Sequence, residues 1–431
     1  MPVAVAPHID CEAASAPPGN TVPTAPLRVL TILYGFAPGG VERVAARLHA
    51  AWCAQQVASV IMIADHTAAP PFPLAHVEQA GGQSRRRGVR SFVMLVLAVR
   101  RAVRDDPPDI LFCAGNTYSV LLVAARLVIG RRCPPIVCKV SNCLMRRDMS
   151  PSLRWLYHRW LRLQGRWIDH FVGLAPATRD EIARFTHAAP NRISVIEDPL
   201  VDQADLTRLA AARDMVTKAR QSRAGRQYLA VGRLVSQKNF ALLLNAFAQI
   251  AGPGDRLTVL GEGCERRALE RLAATLGIAA TVCLPGHVAS LDPWLADADA
   301  LVLSSDYEGV PAVLVEGLAA GLPIVATRCC VSIDDLLGHG AFVMVVPVRD
   351  PAALGAALSA VVRREPDSIV EARRAAAAAY SVDRASLSYL VLMRDLAQRH
   401  ALATLSDRSR FWRASLAVGG PIVPPRRPSS L

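Results

Sequence analysis

The chain has 431 residues, which favours two domains over one, because single hydrophobic cores rarely grow past a few hundred residues. Hydrophobic residues make up 52% and charged residues 20%, which excludes general disorder and provides for a large core. The net charge of +13 lies in one segment, since residues 85–166 hold 17 Lys and Arg against four Asp; such a bias bears on partners rather than on fold.

Residues 1–26 are rich in Pro and Ala and carry neither a basic start nor an apolar run, so a disordered extension is expected rather than a signal peptide. A strand over 27–33 precedes Pro38-Gly39-Gly40, which opens a helix to residue 53, and 57–63 reads as the next strand. Alternation continues with helix 91–104, strand 109–113, helix 117–129, strand 135–140, helix 152–166, strand 168–173, helix 177–185 and strand 192–196. Strands alternating with helices of this length predict a parallel sheet covered on both faces. Residues 199–226, polar and helical in pattern, are expected to link two domains. The alternation then restarts with strands 227–231, 256–260, 280–284, 299–303 and 322–326, separated by helices 238–250, 264–276, 290–296 and 311–320. Helices 350–363 and 366–400 close the chain, and 417–431 is expected to be a disordered tail. The fold class is therefore α/β: two tandem Rossmann-like, doubly wound domains at 27–198 and 227–382, facing each other across a cleft, with closing helices at 383–416.

Ten cysteines are present, but no CxxC pair exists and the 133/138/143 spacing fits no zinc pattern, so reduced core thiols of a cytoplasmic protein are expected and no metal. No apolar run approaches the ~20 residues of a membrane span. The basic segment has another use. Arg85, Arg86, Arg87 and Arg90 lead into an apolar helix ending in Arg100, Arg101 and Arg104. Arg146, Arg147, Arg154, Arg159, Arg162 and Arg166 then interleave with Trp155, Tyr157, Trp160 and Trp167. Arginine with aromatic residues on a helix is the composition of a segment lying among the headgroups of an anionic bilayer. Peripheral attachment to the inner face of the cell membrane is expected. Nucleic acid is not, because no helix-turn-helix, finger or RNA-binding pattern accompanies the charge.

The strongest chemical signal is the run from Ser304 to Gly317. A strand ends, a loop presents Glu308, Gly309 and Val310, Pro311 takes the first helical position, and Glu316 lies farther along the helix. Proline there loses nothing, and the free backbone N–H groups around it form an anion site suited to a diphosphate. A second signal is Gly232-Arg233 with Lys238 around the turn after another strand. A guanidinium fork and an ammonium point charge at a strand's carboxyl end suit a departing nucleoside diphosphate. Gly261-Glu262-Gly263 is a further strand-ending turn, and Gly39-Gly40 after the first strand let backbone approach a ligand from the opposite wall. The latter lacks the GxGxxG spacing of a dinucleotide site, and Asp65 is a poor substitute for the acidic partner such a site uses, so NAD is discounted. Asp297-Ala298-Asp299 has the spacing of a metal-binding DxD, but it precedes a strand and lies at the amino end, away from the cleft.

Together these pieces resemble the GT4 family of retaining glycosyltransferases with the GT-B fold, over roughly residues 27–380. Glu308 and Glu316 match the family's Glu-x7-Glu motif, which implies that Glu308 contacts the donor sugar and Glu316 the nucleotide ribose. Arg233 and Lys238 match its diphosphate-binding pair, and Gly39 and Gly40 match its glycine loop. The turn Gly286-His287-Val288 resembles the one beside the nucleotide base. The resemblance further implies a nucleoside-diphosphate sugar as co-substrate, no cofactor or metal, and retention of anomeric configuration.

Two stretches depart from the pattern. Cys113-Ala114-Gly115-Asn116-Thr117 stands where many members carry a histidine, leaving Asn116 as the candidate acceptor contact. Cys329-Cys330-Val331-Ser332 replaces the usual glycine pair after the last cleft strand. The expectation is a hexosyltransferase acting on a lipid-linked glycan in cell-surface or exopolysaccharide synthesis. The alternatives are an inactive sugar-nucleotide-binding protein and a sugar-nucleotide epimerase on the same fold.

Overall fold

Short, almost wholly apolar strands such as Ile110–Cys113 and Ala300–Leu303 are buried on both faces, which is what a parallel sheet sandwiched between helices demands. The structure, a computed structural model, describes residues 26–36, 40–64, 70, 73–80, 89–146, 149–336, 343–362 and 365–417. Gly39, Asp65, Arg85, Arg86, Arg87 and Arg147 lie outside these residues, as do 1–25 and 418–431.

In the first domain the strands are β1 (Arg28–Leu33), β2 (Ala58–Ile63), β3 (Val77–Gln79), β4 (Ile110–Cys113), β5 (Ile136–Lys139), β6 (His170–Gly173) and β7 (Ile193–Val195). They form one parallel sheet in the order 3-2-1-4-5-6-7. Its helices are α1 (Gly40–Ala54), α2 (Val89–Asp105), α3 (Ser119–Ile129), α4 (Pro151–Trp167) and α5 (Pro176–Thr186).

The second domain begins with α6 (Gln203–Ser222) and continues through β8 (Gln227–Val231), α7 (Phe240–Ala248), β9 (Arg256–Leu260), α8 (Arg266–Thr275) and β10 (Val282–Gly286). Then follow α9 (Asp292–Asp297), β11 (Ala300–Leu303), α10 (Ala312–Ala319), β12 (Ile324–Thr327), α11 (Ile333–Leu336) and β13 (Val343–Val346). Helices α12 (Pro351–Ser359), α13 (Asp367–Ala378) and α14 (Val382–Ala417) end the described chain. Its parallel sheet runs 10-9-8-11-12-13. In each sheet the order reverses once, beside β1 and β4 in the first and beside β8 and β11 in the second. Crevices at the carboxyl ends of such switch points are where open α/β sheets bind ligands.

Four details depart from the reading of the sequence. Strand β3 was not expected, being a three-residue, largely exposed edge strand too short to show alternation. Strand β13 was not expected either; it pairs in register with β12 and extends the second sheet. Residues 199–226, expected as a linker, are mostly helix α6, which packs against α9 and is held by the buried Arg213, whose guanidinium donates to the carbonyls of Leu295, Ala296 and Ala298 at 3.3, 3.3 and 2.8 Å. The expected helix 366–400 is broken at Tyr380–Ser381, where the chain crosses back: the amides of Leu200 and Val382 bond to Tyr380 and Val201 carbonyls at 2.9 Å each. Helix α14 then returns to the first domain. Its Tyr389 lies edge-on to Trp52 and Phe112, at ring-centroid distances of 6.1 and 5.4 Å, and all three rings are fully buried.

Candidate active site

The second domain's switch point is built from two loops that lean on each other. After β8, Gly232 leads through Arg233 to a short turn, and Lys238 precedes Asn239, whose left-handed backbone (φ 45°) starts α7. After β11, Ser304 and Ser305 lead into Glu308. Ser304 donates to the Lys238 carbonyl at 2.9 Å, Gln237 to the Tyr307 carbonyl at 2.9 Å, and Asn239 to the Asp306 carboxylate at 2.8 Å. This stitching brings the Lys238 ammonium to 2.5 Å from Glu308, which also accepts from the Ser305 hydroxyl at 2.8 Å. The pair is largely buried, at 16% and 11% exposure. Arg233, by contrast, is exposed and pairs with no described carboxylate. One cation is thus held in place and one stands free at the rim.

The glycines have a packing reason. A Cβ on Gly261 (φ +136°) would lie 2.0 Å from the Gly232 carbonyl oxygen, and one on Gly263 would lie 2.2 Å from that of Leu234. Only bare backbone lets the loops after β8 and β9 approach so closely. Bonds from Gly232 to Leu260 and from Leu234 to Glu262, both 2.9 Å, fix the approach. His287 and Val288 follow β10 at the edge of the same rim, tied in by the Gly261 amide on the Gly286 carbonyl at 2.8 Å.

Helix α10 begins at Ala312, one residue later than expected. Pro311 is its cap, in extended backbone (φ −72°, ψ 103°), because a proline's fixed φ suits either position while its ψ here is not helical. The preceding loop is anchored by the Glu308 amide on the Cys329 carbonyl at 3.1 Å, so the cysteine that replaces a glycine still serves the loop through its backbone. Gly309 and Val310 are half-buried.

The first domain meets this loop directly. Asn142, just beyond β5, forms an isolated antiparallel bridge with Gly309, where a Cβ would lie 1.9 Å from the Ser141 carbonyl oxygen. Ser141 donates to the side-chain carbonyl of Asn116 at 3.1 Å, and the Tyr157 phenol also bonds Asn116. Burial pushes that phenol up, against the pull of Arg146. Arg146 lies over the ring of Tyr307 at 5.7 Å, a cation–π contact from one domain to the other. Glu181 on α5 accepts from the amides of Leu144 and Met145 at 2.9 Å each, holding the 141–146 loop.

On the other side of the cleft, Arg43 in the first turn of α1 faces Glu316 of α10 at 3.7 Å. Glu316 is 17% exposed; burial pushes its carboxyl up, and Arg43 and Arg47 pull it back. A Cβ on Gly40, the first residue of α1, would meet nothing within 4 Å among the described residues.

The structure therefore gathers Lys238, Glu308, Gly309 and Asn116 at one seam and sets Glu316 opposite α1. Sequence reasoning missed Arg43, Asn142 and Glu181, and it set Arg146 on the basic membrane-facing segment rather than over Tyr307. Each acts across the fold, and none carries a local signal.

Comparison with known proteins gives this geometry a family. Residues 225–364 match the model described as "Glycosyl transferases group 1", and residues 38–200 match "Glycosyltransferase Family 4". The lipopolysaccharide core biosynthesis glycosyltransferase LpsE of Rhizobium meliloti is 39% identical over 100 residues, covering 23% of this chain and 29% of that protein. A second relative is N-acetylgalactosamine-N,N'-diacetylbacillosaminyl-diphospho-undecaprenol 4-alpha-N-acetylgalactosaminyltransferase of Campylobacter jejuni. It is 32% identical over 120 residues, covering 28% of this chain and 33% of that protein. The matches thus span about a third of these relatives' own length. The fold is that of Anabaena HepE, solved in complex with UDP and glucose, at a TM-score of 0.66 and 17% identity over 85% of this chain and 99% of that one. With both halves matched by glycosyltransferase models and the fold by a GT-B structure, the chain belongs to the group 1 and family 4 glycosyltransferases of GT-B fold.

Proposed function

We propose that this protein is a retaining glycosyltransferase that moves a hexosyl unit from a nucleoside-diphosphate sugar to a lipid-linked glycan at the cytosolic membrane face, in cell-surface polysaccharide synthesis. The observation that carries the reading is the cluster at the second switch point: a fixed Lys238–Glu308 pair beside the free Arg233, at the carboxyl ends of β8 and β11. In the resting site Lys238 neutralises Glu308. When a donor diphosphate arrives, Lys238 and Arg233 face the growing negative charge of the leaving group, the kind of preorganised electrostatics that lowers a barrier most. Glu308, freed, turns to the hydroxyls of the sugar, and Glu316 to the ribose. Two cations, Lys238 held beside Glu308 and Arg233 at the rim, would supply the charge that other transferases take from a metal, so the reaction is proposed to need none.

Relatives named for lipopolysaccharide core synthesis and for an undecaprenol-linked acceptor support a lipid-linked glycan here. No helix among the described residues is long and apolar enough to cross a membrane. Contact with the membrane is instead assigned to the first domain, where Trp155, Leu153 and Leu156 of α4 are 64%, 51% and 59% exposed among arginines.

The test is calorimetry with UDP, GDP and their sugars, with and without a chelator. A bound nucleotide at a hundred times its Kd stabilises the fold by about 2.7 kcal/mol. Transfer followed by NMR of the new linkage reads the anomeric outcome. No stabilisation by any nucleoside diphosphate sinks the donor site, and an inverted product sinks retention.

A further inference from the structure

Between α4 and α5, apart from the donor cradle, lies a cleft of about 500 Å³ lined by Arg154, His158, Arg162, Arg184, His187 and Met145. The volume is that of small-ligand sites. Arg154, His158 and Arg162 are spaced four apart, which puts them on one face of α4. Arg184 stands in the last turn of α5, and His187 caps that helix in left-handed backbone (φ 57°). No acid lines the cleft, and none of the three guanidiniums pairs with a carboxylate among the described residues. The His158 ring is held against Phe185, 4.7 Å between centroids, and its Nε2 is shut off from solvent with no hydrogen-bond partner. Burial first, then Arg154, Arg162 and Arg184, pull the imidazole below its ordinary value. Crowded cations with no carboxylate partner among the described residues, beside a buried nitrogen with no hydrogen-bond partner, form a site suited to a polyanion.

The surroundings narrow the anion. Met145 belongs to the loop whose Asn142 bridges Gly309, so the cleft adjoins the seam where transfer is assigned. Leu153, Trp155, Leu156 and Leu163 of the same helix are exposed apolar groups. Phosphate chemistry beside an apolar outer face fits a phosphate carried on a lipid tail. We propose that the α4/α5 cleft grips the diphosphate of a lipid-linked acceptor and so sets how far its sugar reaches toward Glu308. This rests on the lipid-linked acceptor proposed above.

Inorganic pyrophosphate is the first probe, in the full chain with Arg233→Gln and Lys238→Gln to remove the donor-site cations. Binding persists in that background and weakens about ten-fold or more when Arg154→Gln and Arg162→Gln are added, the loss expected for charge-assisted hydrogen bonds. Arg184→Gln, at an exposed helix end, repeats the effect without risk to the fold, and an unchanged thermal midpoint certifies each variant. The second probe is phosphatidylcholine vesicles carrying a polyprenyl diphosphate, compared with vesicles of equal charge made with phosphatidylglycerol. Retention is stronger on the diphosphate vesicles and falls with the Arg154 and Arg162 changes. Pyrophosphate affinity untouched by the cleft variants overturns the site, and equal retention on both vesicles overturns the acceptor in favour of an ordinary headgroup. Donor affinity is read separately on the wild type with UDP, so a failed donor site and a failed cleft give different results.

Discussion

In the second domain the candidate site residues come from two stretches, 232–239 and 304–316, each beginning where a strand beside the switch point ends. In the first domain Asn116, Ser141, Tyr157 and Glu181 come from four separate places and meet only through long-range hydrogen bonds. The charge divides in the same way, since the excess sits wholly in residues 85–166 of the first domain. A diphosphate is the same chemical object in every nucleotide sugar, so a compact local cradle suits the donor role proposed for it. An acceptor varies, and the wall proposed for it is assembled from side chains that distant parts of the fold bring together.

The sharpest break of this comparison is at the cradle. Arg233→Ala or Lys238→Ala lowers turnover by roughly 10²-fold or more, since each removes charge facing the leaving group; the thermal midpoint holds in Arg233→Ala, whereas Lys238→Ala also loses the contact with Glu308. Wild-type turnover in both means the donor cradle is misassigned. Next comes the seam. In Gly309→Ala the new Cβ must displace the Ser141 carbonyl, parting the two domains' loops there. Turnover then falls by roughly ten- to a hundred-fold through misplacement, while UDP affinity holds; equal loss of both locates Gly309 inside the nucleotide site instead.

The two acids of the second domain separate at a smaller scale. Glu316→Ala weakens UDP binding by about ten-fold, the worth of a hydrogen bond to a charged group, whereas Glu308→Ala spares UDP and harms transfer. Because Lys238 and Glu308 touch, their double-mutant cycle in stability shows coupling of about 0.5 kcal/mol or more. Additive effects mean that the contact contributes nothing.

In binding, the smallest effect per residue belongs to the basic surface. Replacing Arg100, Arg101, Arg159 and Arg166 by Gln costs about 1 kcal/mol each in binding to anionic vesicles, and rising salt erases the difference. Co-sedimentation that ignores lipid charge makes the segment a plain solvated surface.

How much of this was legible follows the same division. The alternation of buried strands and helices was readable through both domains because strands buried on both faces leave continuous apolar runs. Glu308, Glu316, Arg233 and Lys238 were readable because strand-ending loops place them within a few residues of a recognisable turn. Arg43 opposite Glu316 was not, since nothing near residue 43 signals α10. The helical link at 199–226 was readable as polar helix, but its docking was not, because the side chain that ties α6 to α9, Arg213, is itself charged and finds the carbonyls of Leu295, Ala296 and Ala298 only in the folded state. Strand β3 was hidden by its brevity, and the break before α14 by good helix formers on both sides.

The return of α14 to the first domain has a consequence for synthesis. The face of α1 that carries Trp52 is closed by Tyr389, and Gln55 reaches Ser386 at 2.8 Å, so the first domain's core is completed by some of the last described residues to be made. On a ribosome adding about 5–20 residues per second, the first domain waits roughly ten seconds or more with that aromatic face uncovered, while the second domain is translated. The nascent chain is then a target for chaperones that hold apolar surface. Release short of Val382 leaves a first domain prone to aggregate beside a second domain that keeps its own packed core.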